Sequence, residues 1–106
     1  MEDEMNRREL DVLSILWRTS EPKTAIDIVK SKSGLTQSTV TAVLRKLLEN
    51  ELVEVVGVTH SGRVLSRTYK ATEKAKQVVL DYFIERYREF KDVVSQEELV
   101  SLMKNL

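Results

Sequence analysis

The sequence predicts a mainly α-helical chain that carries one small β-hairpin. Three observations lead there. Apolar residues recur at spacings of three and four in five segments, and Thr or Ser stands where a cap belongs ahead of four of them. Between the third and fourth segments a valine-rich stretch, LVEVVGVTH, abandons that spacing. A glycine-containing turn, HSGR, then separates it from a second extended stretch, VLSRTYKA.

The elements follow in order. Residues 6–18, NRRELDVLSILWR, place Leu10, Val12, Leu13, Leu16 and Trp17 on a broad apolar stripe, and Pro22 in TSEPK ends the run. Thr24 caps a short second helix, AIDIVKSKS, whose buried stripe is Ala25, Ile28 and Val29. Gly34 stops it. Thr36 caps the third helix, with Val40, Val43, Leu44, Leu47 and Leu48 turned inward. Helix, short turn, helix and then a hairpin is the order of a winged helix-turn-helix. Thr72 next caps a long helix, EKAKQVVLDYFIERYREF, with Val78, Val79, Tyr82, Phe83 and Tyr87 as apolar positions. Ser95, with Glu98 three residues on, opens a last helix bearing Leu99, Leu102, Met103 and Leu106. The expected division is a winged-helix unit over residues 1–71 and a C-terminal helical dimerisation segment over residues 72–106.

At 106 residues, 42% hydrophobic and 32% charged, the chain can build one core under a charge-laced surface. There is no cysteine, which removes disulfides, zinc-thiolate sites and thiol catalysis. The lone histidine cannot supply a two-histidine metal site, so neither a metal nor a cofactor is expected. No glycine-rich phosphate loop and no paired-carboxylate motif points to an enzyme; Glu85 and Glu89 lie among Arg86 and Arg88 as a solvated face. No apolar run approaches the ~20 residues of a membrane span. The polar, acidic MEDEMNRREL is unlike a signal peptide, so a cytoplasmic protein is expected. Net charge is zero, but it is unevenly placed. Residues 1–22 hold three basic and six acidic side chains, residues 23–70 eight and four, and residues 71–106 six and seven. The basic excess falls on the middle segment, where a local positive surface can form.

The third helix poses the functional question. Opposite its apolar stripe it carries Gln37, Ser38, Thr39, Thr41, Ala42 and Arg45, where a merely solvated face would carry Glu and Lys. Small side chains let a helix backbone approach base edges. Hydroxyls and an amide can donate or accept there, methyl groups can touch a thymine methyl, and arginine can pair with guanine. Thr24, His60, Ser61, Arg63 and Arg67 are the expected contacts to the nucleic-acid backbone, four of them on or near the hairpin tip.

Three stretches, ELDVLSILW, SGLTQSTVTAVLRKLLENELVE and a hairpin ending SRTYKAT, resemble the penicillinase repressor family. The resemblance covers the first ~70 residues. Trp17 stands where that family closes its first helix, STVTAVLRKL matches its recognition helix, and Tyr69 matches an aromatic after the wing. The resemblance implies a homodimeric repressor whose winged helix binds a palindromic double-stranded DNA operator. It implies base and phosphate contacts by Ser38, Thr39, Thr41 and Arg45. The chain departs from the family in having neither a C-terminal cysteine motif nor an Asn-Phe bond, the two features through which its branches are induced. The stretch KATEKAKQ is also similar to regulators of the multiple-antibiotic-resistance type, which bind effectors and carry a further N-terminal helix.

Val79, Tyr82, Phe83, Tyr87, Leu99, Leu102, Met103 and Leu106 are many apolar groups for so small a domain, and the economical cover for them is a second copy of the chain. A ligand pocket lined by the same aromatics is the rival reading. A winged helix used for protein contact alone is the other alternative, against which Arg45, Arg63 and Arg67 speak. An all-helical adaptor is opposed by the valine-rich hairpin. No feature identifies a small-molecule effector.

Overall fold

A computed structural model describes residues 5–106. The elements are α1 (Arg7–Trp17), α2 (Ala25–Ser31), α3 (Gln37–Glu49), β1 (Val53–Ser61), β2 (Val64–Ala71), α4 (Glu73–Arg88) and α5 (Gln96–Met103). Five helices and one antiparallel hairpin form a winged helix-turn-helix, as the apolar spacing predicts. Each helix starts where a side chain takes over an orphan backbone N–H. Asn6, Thr24 and Ser95 do so within reciprocal capping boxes, closed by Glu9, Asp27 and Glu98. Thr36 and Thr72 cap α3 and α4 with their hydroxyls alone.

One core is shared by α1, α2, α3, the base of the hairpin and the start of α4. Val12, Leu13, Ile28, Val40 and Leu47 are fully buried at its centre, and Leu52, Val53, Ala75 and Val79 close it. The i, i+4 pair Ala75 and Val79 roots α4 in this core, and its later turns rise out of it. Val79, expected at an interface between copies, is therefore buried inside its own chain, because its helix phase points it at the winged-helix core. Trp17 departs from expectation the other way: at the last residue of α1 it is 43% exposed.

The end of α3 sets the exit of the wing. Asn50 caps it, and Glu51 then takes a left-handed conformation at φ 63°. The Glu51 N–H bonds Leu48 at 3.0 Å and the Leu52 N–H reaches back to Leu47 at 2.8 Å, a Schellman pair built without glycine. The Thr72 hydroxyl holds the Glu51 carbonyl from the far side of the hairpin at 2.8 Å.

The hairpin is tighter than the four-residue turn HSGR suggests. Ser61 pairs with Val64, so Gly62 and Arg63 alone make the turn, and Gly62 supplies its positive φ of 65°. The register slips once, between Val55 and Gly57, leaving Val56 as a bulge. A Cβ at Gly57 would stand 3.2 Å from the Thr68 hydroxyl, so the bulge favours glycine there. Lys23 adds a third, one-residue strand by exchanging backbone bonds with Tyr69 at 3.1 and 2.8 Å. That pairing ties the lead into α2 to the sheet. Among the described residues, no helix is long and apolar enough to cross a membrane, and no group of His, Asp and Glu could hold a metal ion.

Candidate nucleic-acid interface

The orientation of α3 comes from both of its sides. Val40, Val43, Leu44 and Leu47 sink into the core, which turns Gln37, Ser38, Thr41, Ala42 and Arg45 to solvent. Thr39 is half-buried. Lys46, outside that face, reaches the Glu9 carboxylate at 2.9 Å, and Glu9 is only 3% exposed. The same carboxylate accepts the Asn6 N–H at 3.0 Å. One buried acid thus closes the first turn of α1 and clamps the second half of α3. Asp11, 7% exposed, gathers Arg7 at 3.3 Å, Arg8 at 3.1 Å and Lys32 at 4.0 Å. These two acids take Lys32 and Lys46 out of the basic excess of the middle segment. Sequence reasoning missed both acids: a Glu and an Asp on the polar side of a helical wheel give no sign that a distant lysine will cover them.

Three hydroxyls meet at the start of α3. Thr36 Oγ1 accepts the Thr39 N–H at 3.2 Å, donates to Thr39 Oγ1 at 3.0 Å and lies 3.4 Å from Ser38 Oγ. Thr36 has a single proton and gives it to Thr39, so Ser38 is the donor in the remaining contact. Thr39 thus keeps its own hydroxyl proton for another acceptor. With the first-turn N–H groups it makes the start of α3 a donor-rich end.

An open cleft of 290 Å³ separates α3 from β2, lined by Ala25, Thr41, Arg45, Glu49, Arg67 and Tyr69 among others. It brings Arg67 beside the exposed face of α3. Arg63 stays at the hairpin tip, away from it. The bulge decides which residues accompany Arg67. Without it Val53, Val55, Gly57 and Thr59 would share one face; with Val56 inserted, Val58 pairs with Arg67 and His60 with Leu65 on the face that carries Tyr69. His60 therefore joins Arg67 on the side of the cleft. Val58 and Leu65 share that face at 61% and 62% exposure, an apolar flank of the wing that the alternation of the sequence did not reveal. The Ser61 side chain lies outside the described residues.

Thr24 was expected at the nucleic-acid backbone. It is buried, and its hydroxyl accepts the Asp27 N–H at 3.1 Å. The Lys23 pairing with β2 draws it inward, so it caps α2 and presents no side chain to a ligand. The Thr24 N–H returns a bond to Asp27, and that bond is the main reason the Asp27 carboxyl sits below its ordinary value. Burial opposes it as the next-largest influence, and the hydroxyl of Thr24 and the charges of Lys23 and Lys30 add smaller lowering effects.

Of the residues expected to dimerise, Phe83, Leu102, Met103 and Leu106 are exposed and Tyr82, Tyr87 and Leu99 half-buried. Arg86 lies 5.1 Å over the Tyr82 ring, Phe83 meets the same ring edge-on, and the Tyr87 hydroxyl donates to the Val94 carbonyl at 2.7 Å.

A three-helix core, a capped helix presenting a small polar face and a hairpin carrying cations beside it define a winged-helix DNA-binding protein of the transcription-regulator class. A profile of the MarR family matches residues 5–64, more than half of the chain. The chain belongs to the MarR family of transcriptional regulators. No curated protein matches it. Solved structures do. A single-residue variant of MepR from S. aureus is 21% identical, with a TM-score of 0.66 over 95% of this chain and 74% of that one. PadR from Bacillus subtilis, solved with operator DNA, is 16% identical, with a TM-score of 0.63 over 94% of this chain and 67% of that one. Diamide-treated YodB from B. subtilis is 21% identical, with a TM-score of 0.61 over 82% of this chain and 80% of that one. At such identities these are likenesses of fold. The family is thus the second of the two regulator types that the sequence resembles.

Proposed function

We propose that this chain is a homodimeric repressor that reads a two-fold symmetric DNA operator through α3 and grips the flanking backbone with its wing. The observation that carries the reading is the α3 face itself: Gln37, Ser38, Thr41, Ala42 and Arg45 stand clear of the core on a helix whose position the Glu9–Lys46 pair fixes. Thr41 and Ala42 allow close approach in a major groove, Gln37 and Arg45 supply base-edge donors, and the Ser38 hydroxyl with the first-turn N–H groups of α3 can donate to a phosphate. Arg67 in the cleft, and Arg63 and His60 further out, fit the backbone on either side of the groove. The resemblance to penicillinase repressors favours repression over activation, and work on a DNA operator fits a cytoplasmic protein. PadR, solved on its operator with the same fold, supports the DNA reading.

The test is Thr41→Glu. A carboxylate on the α3 face would meet phosphates and base acceptors, so operator binding should be lost. Thr41 is exposed and packs nothing, so the melting midpoint should stay within a few degrees of wild type, as surface changes usually cost under about 0.5 kcal/mol. Titration against a selected DNA pool, beside a melting curve, decides. Undiminished binding by the variant would show that α3 is not the reader.

A further inference from the structure

We infer that Glu49 reads a cytosine, its carboxylate accepting the N4 amino group of that base in the major groove. This role rests on the proposal above that α3 is the reader, and it adds a residue that decides which sequence is read.

Glu49 is the last residue of α3, and it is exposed. A helix turns by about 100° per residue, so Ser38, Ala42, Arg45 and Glu49, spaced four, three and four apart, fall on one stripe. That stripe runs opposite to Val40, Val43, Leu44 and Leu47 in the core. Glu49 thus stands in the middle of the outward face, one turn beyond Arg45.

Nothing in the fold asks for an acid there. The carboxylate joins no core and forms no ion pair or hydrogen bond among the described residues. Arg45 lies four residues before it, but a cation ahead of an anion is the weaker order along a helix. The negative end of the helix macrodipole also works against a carboxylate in the last turn. A side chain set against the local preference of its helix points to a task outside the fold.

The surroundings make that carboxylate tolerable beside DNA. Glu49 lines the 290 Å³ cleft between α3 and β2 together with Thr41, Arg45, Arg67 and Tyr69. Arg45 and Arg67 are both exposed, and neither is in an ion pair among the described residues. Their charges offset the repulsion between the carboxylate and the phosphates that border a groove.

Chemistry then narrows the base. An ionised carboxylate only accepts hydrogen bonds. In the major groove guanine offers acceptors, thymine an acceptor and a methyl group, and adenine an acceptor beside its amino group; cytosine offers a donor alone. Glu49 therefore selects cytosine by attraction and rejects guanine and thymine by repulsion. Four residues of helix advance about 6 Å and stacked base pairs about 3.4 Å, so the cytosine falls within about two base pairs of the one that Arg45 reaches.

Selection from a randomised duplex pool is the test, with wild type and Glu49→Ala run side by side. Wild-type sites should hold a cytosine at one position per half-site that Glu49→Ala no longer selects, while the other preferences persist. On paired duplexes, wild type should bind the cytosine site at least about five-fold more tightly than the same site with thymine there, and the variant should bind the two alike. The melting midpoint of Glu49→Ala should not fall, which separates recognition from folding. Wild-type sites without such a cytosine, or a cytosine preference that survives Glu49→Ala, overturn the inference. So does a variant that binds every sequence more tightly with its preferences intact, the mark of a carboxylate that only repels phosphate. Those results leave α3 as the reader wherever Thr41→Glu abolishes binding. Undiminished binding by Thr41→Glu removes the reader, and the role of Glu49 with it.

Discussion

Glu51 sits at φ 63°, a conformation that costs an L-residue about 1–2 kcal/mol and glycine almost nothing. Its side chain returns little, since the Lys74 partner at 3.6 Å is 56% exposed and Glu51 itself 80%. Glycine would gain the backbone term and lose some through a more flexible unfolded chain. Glu51→Gly should therefore raise stability by about 0.5 kcal/mol, and Glu51→Val, β-branched at positive φ, should lower it by more than about 1 kcal/mol. Urea midpoints measure both, and opposite signs are the result to look for. Asp27 offers a pH handle. Its folded carboxyl lies below the ordinary value of 3.8, chiefly because the Thr24 backbone N–H bonds it. A depressed acid contributes stability that is fully present above the unfolded value and lost as pH falls through the folded one. Asp27→Asn should thus be less stable than wild type near neutral pH and level with it at about pH 2. Urea midpoints at the two pH values are the measurement, and a gap that persists in acid contradicts it.

Between elements, the α1–α3 clamp has the largest expected effect. Removing the Lys46 ammonium leaves the Glu9 carboxylate, 3% exposed, still accepting the Asn6 N–H but stripped of that cation. Lys46→Ala should cost about 1–3 kcal/mol, the penalty for stranding a buried polar group. Glu9→Gln keeps the capping box and removes the charge, so the double variant should cost less than the sum of the singles by at least about 0.5 kcal/mol in a denaturation cycle. Additivity would mean that the clamp contributes no coupling. This clamp also marks what the sequence could and could not tell. The caps at Thr24, Thr36, Thr72 and Ser95 are local, and so is the 3.6-residue spacing that turned Thr41 and Arg45 outward; both were legible. The partner of Glu9 lies 37 positions away and on another helix, which no local pattern encodes. The Val56 bulge and the Lys23–Tyr69 pairing are likewise choices made between strands, so the face of the wing that carries His60 was not legible. Neither was the burial of Thr24, which follows from the same pairing.

The whole molecule is a compact winged helix with a long, half-bare arm, and its 56 Å length is the mark of that division. Ala75 and Val79 are covered by the winged helix, whereas Phe83, Phe90, Leu102 and Leu106 each stay more than half exposed in the single chain. A dimer formed through the arm would carry two α3 faces related by a two-fold, so the operator should contain two half-sites about one helical turn, or a multiple of it, apart. Leu102 is the residue to break. It is 64% exposed in the monomer, so Leu102→Asp should leave the fold of one chain intact while placing an unpaired charge in an apolar interface. Sedimentation at micromolar concentration should fall from about twice the chain mass of 12.2 kDa to that mass itself. The two half-sites would then be bound independently. The effective concentration that linked them would be gone, and apparent affinity for the full operator should drop by about 100-fold or more, towards that for a single half-site. Affinity for one isolated half-site should stay unchanged, because α3 and the wing are untouched. A variant that is monomeric yet binds the full operator as tightly as wild type would remove the need for two copies and reduce the reader to one winged helix.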